Sequence, residues 1–484
     1  MSTRRRTSAD IGASASPAGP LPPPPGEPER SQRISILEGS FANIHLTITG
    51  GSLVTAYALM LGANDFHLGL VGGLTALATL GSILGAQWVT SLGGRKPLSV
   101  AASPTGRILW ALLCVLPFLS IAPAVKLLLF FSVILIGNGL VNLSGTSWLS
   151  WMTDLVPIER RGRYFATRNA ILGAVGMATS YAAGRSFDGF VARGAPEQGF
   201  AVLFGVAAFF AALAGITLTR QWEPPMRGER PRGIVETLRH PIADRRFRRL
   251  LTFLVLWSIA TGVASPFFAA HMIKNLRMSF SQIAIYSILA GVMNLVTLPF
   301  WGKVIDRVGN RPVLAWNVGA VVTLPLLWLF ATPSFLLPIW IDAILTGLFW
   351  PGLTLATFNL VLATAPEENR TAYLGMQAAA VGVFTFASSL LGGVLAKALD
   401  DFHATVGPTA LLNFHLLYIL SAVLRLAILP LVFHLREERA QTVAALLDLV
   451  GDKVSQRFHE GLQSGVAILR KMGGNGKIGG NGEG

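Results

Sequence analysis

From residue 34 onward the chain runs through long apolar segments separated by short polar breaks rich in Gly, Pro and charge. A helix of about 20 apolar residues crosses a hydrocarbon layer of about 30 Å. Twelve such segments are predicted, at 36–61, 67–91, 98–119, 127–152, 165–186, 199–219, 250–271, 280–302, 312–331, 334–360, 372–396 and 411–435. The fifth is the most polar, with Arg168 at one end and Arg185 and Asp188 at the other. Residues 1–33 hold Arg4-Arg5-Arg6 and the proline run Pro22 to Pro25, and read as a disordered basic tail with no cleavable signal. In the tail at 437–484, Val443, Leu447, Val450, Val454, Phe458, Leu462, Val466 and Leu469 recur every three or four residues. That spacing predicts an amphipathic helix, on the membrane surface or docked to a partner, ahead of a disordered Gly/Asn-rich end.

Composition excludes the main alternatives to a membrane protein. Of 484 residues, 52% are hydrophobic and 13% charged, against about 25% charged in soluble domains. A soluble enzyme, a disordered scaffold and a disulfide-stapled secreted domain are ruled out. Cys114 is the single cysteine, so there is no intrachain disulfide or Cys-rich metal site. The net charge of +14 is topological. With twelve spans, 31 Lys and Arg fall on the side of the N-terminus and 6 on the other, leaving Arg107 and Arg425 within the membrane. Positive-inside bias places both termini in the cytoplasm, and nucleic acid is not an expected partner.

The chain repeats itself. Pro157-Ile-Glu159-Arg-Arg161-Gly-Arg-Tyr164 follows span four, and Pro366-Glu-Glu368-Asn-Arg370-Thr-Ala-Tyr373 follows span ten. Gly94-Arg95-Lys96-Pro97 follows span two, and Gly309-Asn310-Arg311-Pro312 follows span eight. Equivalent loops with shared identities mark a duplicated six-helix unit. The expected fold is an all-α membrane protein of twelve transmembrane helices in two six-helix bundles, 34–219 and 250–436, joined by an Arg-rich cytoplasmic linker at 220–249.

At these loops the chain resembles the major facilitator superfamily. Gly302-x-x-x-Asp306-Arg307-x-Gly309-x-Arg311 is similar to that superfamily's loop signature, and the P-x-E-x-R loops to its second recurring element. The first copy of the signature is the worn one, with Gln87 and Ser91 where Gly and Asp belong. The tract from Ala58 to Gly69 resembles bacterial members, which points to a bacterial inner membrane. The resemblance implies alternating access between two bundles, with spans one, four, seven and ten lining a central cavity. It also implies a cytoplasmic gate at Gly302, Asp306, Arg307, Gly309, Arg311, Gly94, Arg95, Lys96, Glu159, Arg161, Glu368 and Arg370. Gly69, Gly73 and Ala76 on span two, and Gly375, Ala379 and Gly382 on span eleven, would let those spans approach closely.

Helical spacing selects the cavity candidates. They are His45, Thr49 and Ser52 on span one, Asn138, Asn142 and Thr146 on span four, Trp257, Thr261 and Ser265 on span seven, and Asp342, Thr346 and Trp350 on span ten. A single Thr or Ser in such a helix often bonds only its own backbone. Arg107 and Arg425 stay charged, so they either brace neighbouring helices or attract an anion. Glu38, two turns below His45, is expected near the cytoplasmic surface. A proton-coupled carrier needs a group that can be loaded on one side and unloaded on the other, and Asp342, then His45, fit that need.

No P-loop, HExxH or nucleophile elbow is present, so an enzyme or ATP-driven pump is not expected, and no cofactor or metal is implied. The expected function is secondary transport of a small solute by a monomer in the lipid bilayer, driven by protons. The alternative is a transporter-like sensor or scaffold acting through its C-terminal amphipathic helix. The charge bias sets a test of topology. With Cys114 replaced, a single cysteine at Gly194 should react with an impermeant maleimide in whole cells, and one at Gly233 only after lysis. The opposite labelling would invert the chain.

Overall fold

The computed structural model describes residues 26–91, 94–225, 240–366, 369–406, 409–435, 437, 441–443 and 445–446. The order is α1 Glu27–Ile48, α2 Gly51–Met60, α3 Asp65–Leu77, α4 Gly81–Ser91, α5 Arg95–Ile108, α6 Pro123–Leu155, α7 Ile158–Ala192 and α8 Pro196–Thr219. After the linker come α9 Arg245–Gly262, α10 Ser265–Lys274, α11 Phe280–Val308, α12 Asn310–Leu327, α13 Leu337–Thr364, α14 Arg370–Ala398 and α15 Asn413–Val432. A two-stranded hairpin, β1 His403–Val406 with β2 Thr409–Leu412, precedes α15. The expectation of an all-helical chain missed it.

Ten helices among the described residues are long and apolar enough to cross a membrane. They coincide with the predicted spans apart from the first and the fifth. The first is broken between α1 and α2, at Thr49 and Gly50. The fifth is one 35-residue helix, α7, long enough to cross but carrying many arginines. A break also divides α9 from α10 at Val263 and Ala264, at the position equivalent to the break after α1. The N-terminal tail is shorter than expected, because α1 begins at Glu27 and buries Ser31 completely. Most of the predicted C-terminal amphipathic helix lies outside the described residues. Its first turn packs Val443 and a fully buried Leu446 against the core of the second half.

Local chemistry places the helix starts. Asn64 caps α3 and Ser279 caps α11, each in a reciprocal capping box. Asp244 accepts from the N–H groups of Arg246 and Phe247 at the start of α9. Gly309 turns the chain from α11 into α12 at φ 93, a backbone conformation that a side chain would strain.

Within the first half α1 packs on α7 and α8, and α5 on α6; within the second α11 and α12 pack on α13, and α12 on α15. The halves meet chiefly through α3 against α14 and α7 against α11. Glycines permit this approach. A Cβ on Gly69 would lie 2.4 Å from the Ser389 carbonyl oxygen, and one on Gly184 2.6 Å from that of Phe280. Gly73 abuts Phe386, and Gly382 lies against Ala76 and Thr79, whereas Gly375 has open space around it. One apolar core runs through both halves, with Tyr57, Phe130 and Phe204 from the first and Phe267, Trp328 and Tyr418 from the second.

Two helix N-termini are held by carboxylates from outside the spans. Glu223, just past α8, accepts the N–H of Arg95 at 2.7 Å. Glu437, just past α15, accepts the N–H groups of Asn310 at 3.0 Å and Arg311 at 2.7 Å. Hydrogen bonds to a charged acceptor contribute about 1.5–3 kcal/mol each, and a helix N-terminus favours an anion. Glu437→Gln should therefore destabilise the fold by about 1–3 kcal/mol, read as a lower thermal midpoint, with Glu223→Gln behaving alike. An unchanged midpoint in both would remove these carboxylates from the account.

Candidate functional site

Among the described residues, the hydrogen bonds and ion pairs between the halves lie at the end of the molecule away from the N-terminus. Asp65, buried at the start of α3, accepts from Lys274 Nζ at 2.8 Å and from Asn413 Nδ2 at 2.8 Å. Asp188 on α7 accepts the N–H of Phe280 at 2.7 Å and of Ser281 at 2.9 Å, the first two residues of α11. Its carboxylate also takes the Ser281 hydroxyl. An acid of one half thus sits on a helix N-terminus of the other. Motif reasoning did not single out Asp65, Asp188, Glu223 or Glu437 as site residues. The usable signal was a charge at the edge of a predicted span, most visible in Asp188.

Just inside this seam is a cavity of about 300 Å³ at the α1–α2 break, lined by Thr47, Ser52, Ser180, Gly184, Phe280 and Ser287 among others. Of the twelve cavity candidates only Ser52 lines it. The others fall into separate environments. Thr49 bonds the His45 carbonyl, Asn142 that of Asn138 and Thr261 that of Trp257, all within their own helices. Thr146 donates to the Ser82 carbonyl on α4. His45 turns into the first half, 3.3 Å from the Ala207 carbonyl and edge-on to Trp110. Trp257 and Trp350 approach each other at 6.3 Å between ring centres, while Ser265 is exposed.

Asp342 is 2% exposed and lies inside the second half. Tyr286 on α11 donates its hydroxyl to the carboxylate at 2.7 Å, and Thr346 and Trp328 are close by. Arg425, also buried, donates to the Val321 carbonyl at 3.0 Å and lies 5.9 Å from the Trp257 ring. In the first half Arg107 pairs with Glu38 at 3.2 Å. Glu38 is thus not a surface group: its side chain is 5% exposed. Its two arginine neighbours, Arg107 and Arg168, hold it inside, a setting that helical spacing alone does not reveal. His45 and Asp342 belong to different halves and share no contact.

The gate residues divide by half. Arg95 is enclosed within the first half, bonded to Asp154 at 2.5 Å, to the Ser150 carbonyl at 3.1 Å and to the Pro224 carbonyl at 3.0 Å. Lys96 donates to the Gln221 carbonyl at 2.7 Å, and Gly94 forms the N-cap of α5. In the second half Asp306 and Arg307 are exposed, and Asp306 has no hydrogen-bond or ion-pair partner among the described residues. Gln441 spans this loop, donating from its backbone to the Val308 carbonyl and from its side chain to that of Arg307. Gly302 faces Leu355 at 3.9 Å. Arg161 donates to the Val156 carbonyl at 3.0 Å, and Glu159 and Arg370 are exposed. Glu368 lies outside the described residues. The two tyrosines of the repeated loops make matching bonds, Tyr164 to the Gln32 carbonyl at 3.3 Å and Tyr373 to Asp244 at 3.1 Å. Each ties its helix to the start of the first helix of its own half.

Comparison with known proteins places this architecture. A sequence model of the Major Facilitator Superfamily matches residues 250–455. No curated protein sequence matches the chain. Among solved structures, the nucleoside transporter NupG superposes with a TM-score of 0.62 at 13% identity, covering 85% of this chain and 100% of that one. A D-xylose–proton symporter gives 0.59 at 18% identity, covering 86% and 98%. The xylose transporter XylE from E. coli, in its inward-open conformation, gives 0.58 at 14% identity, covering 87% and 99%. The sequence of residues 250–455 thus matches the Major Facilitator Superfamily, and most of the chain's length shares its fold with solved membrane transporters.

Proposed function

We propose that this protein is a secondary active transporter of a small solute, moving it by alternating access across twelve spans in two six-helix halves related by duplication. Matching helix breaks after α1 and α9 support the duplication. So do the matching carboxylates Glu223 and Glu437 and the matching tyrosines Tyr164 and Tyr373. The setting is a bacterial inner membrane with both termini in the cytoplasm, as the loop charges favour. A monomer suffices, because both halves that surround the path belong to one chain.

The observation that carries this reading is the seam of polar bridges, which among the described residues lies at one end. Asp65, Lys274, Asn413, Asp188 and the start of α11 join the halves at the outer end, while Asp306 is exposed at the other. This is the pattern of an inward-facing state. In the opposite state the outer bridges break, and Asp306 gains a partner on the first half. Two sets of contacts that cannot all form together make the molecule bistable.

Proton coupling is assigned to Asp342. Its carboxylate already accepts one hydrogen bond from Tyr286 and has Arg425 nearby, so gaining or losing a proton changes how strongly the interior of the second half is tied together. His45 is the second candidate. The structural relatives named for nucleosides and xylose supply the first solutes to try.

Purified protein in liposomes, given an imposed pH gradient, should accumulate its solute. Asp342→Asn should abolish that accumulation yet keep solute exchange, since the amide can accept from Tyr286 but cannot carry a proton. Full accumulation in this variant would pass the role to His45. The seam has its own test. Asp188→Asn should weaken the outer closure and Asp306→Asn the inner one, so they should move the maleimide reactivity of a cavity cysteine at Ser52 in opposite directions. Shifts of the same sign would sink the two-latch mechanism.

A further inference from the structure

The first half contains a charge that its surroundings do not balance. Arg107 and Arg168 share one carboxylate, Glu38, at 3.2 Å and 4.0 Å. All three side chains are nearly buried, Arg168 at 11% exposure. Among the described residues Arg168 makes no hydrogen bond; its guanidinium has Glu38 at that long distance and the Trp148 ring face at 4.3 Å. Its Nε is buried without a partner, and so is the indole Nε1 of Trp148. The position beside them on α1 is Gly39, where a Cβ would come within 2.4 Å of Arg168 Nη2. The second half differs, since its buried Arg425 and Asp342 match one for one.

Such a site holds surplus positive charge and orphaned donors, and lacks an acceptor. A guanidinium presents a planar fork suited to a carboxylate or phosphate. The three helices that supply Glu38, Trp148 and Arg168 are α1, α6 and α7, and Arg168 lies ten residues into α7 from its cytoplasmic end. On the inward-facing reading proposed above, that end is the one from which a solute would reach the cluster. We infer that Arg168, with the Trp148 indole N–H beside it, binds an oxyanion group of the transported solute, a carboxylate or a phosphate, with Glu38 as the internal counter-ion that the anion displaces. This rests on the transport reading for its purpose, but not for its test.

The test is thermal unfolding of the purified full-length chain with inorganic phosphate, succinate and lysophosphatidic acid, and with xylose and uridine as neutral controls. An oxyanion should raise the midpoint by several degrees, because a ligand stabilises the state it binds. The rise should vanish in Arg168→Gln and persist in Arg193→Gln, an exposed arginine at the far end of α7. If Arg168→Gln fails to fold, Arg168→Lys should need a higher anion concentration for the same rise. Glu38→Gln should need a lower one, because the competing carboxylate is gone; a purely structural Glu38 gives no such gain. A rise with lysophosphatidic acid alone assigns the anion to a lipid headgroup, and a rise with phosphate or succinate assigns it to a soluble solute. No rise with any oxyanion, a rise with the neutral solutes alone, or an equal rise in Arg168→Gln overturns the inference. Stabilisation by an oxyanion without uptake of any solute would instead overturn the transport reading and leave the site standing.

Discussion

A charge inside a membrane protein must find a partner there, and this constraint organises the whole chain. Moving an arginine or aspartate to the centre of a spanning helix costs at least roughly 2.5–3.5 kcal/mol. Breaking a buried pair by removing one member costs about 3–5 kcal/mol. The structure places Glu38 beside Arg107, Asp65 beside Lys274, and Arg95 between Asp154 and Glu223. Each pair joins elements distant in sequence, so each also fixes how helices sit on one another. Pairs within a half make that half rigid. Pairs between halves would have to part in the proposed alternating-access cycle, and those described lie at the edge, where water could replace the lost partner.

One device recurs in both roles. A carboxylate set on the N–H groups at a helix start satisfies donors that the helix itself cannot use. Glu223 does this for α5 and Glu437 for α12, each from a segment that follows the last helix of its own half. Asp188 does it for α11 from across the seam. The first two are internal braces and the third a latch. The difference is not in the bond but in whether its two ends belong to one moving body. The C-terminal segment strengthens the brace in the second half, where Gln441 bonds the Arg307 and Val308 carbonyls beside Glu437. The Asp306 loop is therefore shaped from behind, and Asp306 itself is left exposed.

Sequence periodicity locates the spans well, because apolar length is dictated by the bilayer and is written locally. The same locality explains its failures. The first span is interrupted at Thr49 and Gly50, a break that hydropathy cannot see in an apolar tract. The fifth predicted span is too polar for a composition rule, yet its residues form one continuous helix, α7, in which Arg168 has Glu38 and Trp148 as neighbours from other helices. Polar stripes on four helices are legible as stripes. Whether Thr261 faces a cavity or bonds the Trp257 carbonyl depends on its χ1 rotamer and its neighbours, which spacing does not record. The repeated loops were the most informative signal. Tyr164 and Tyr373, at the same place in the two loops, each donate to the start of the first helix of their own half, one to the Gln32 carbonyl and the other to the Asp244 carboxylate.

The two halves differ most in what they bury. Their loop motifs, helix breaks and carboxylate braces match, but their buried charges do not. The first half encloses two arginines around one glutamate, with His45 close to Arg107. The second encloses one arginine and one aspartate amid Tyr286, Trp328 and Tyr418. Packing alone does not require that difference, since replacing a buried ion pair by well-packed apolar side chains is often neutral or stabilising. An uneven distribution suits a division of labour. A half with surplus positive charge attracts an anionic group, and a half with a single neutralisable carboxylate can change its net charge by one proton. In the proposed alternating-access cycle, the two would lie on opposite sides of the seam, each influencing the same motion without sharing a contact.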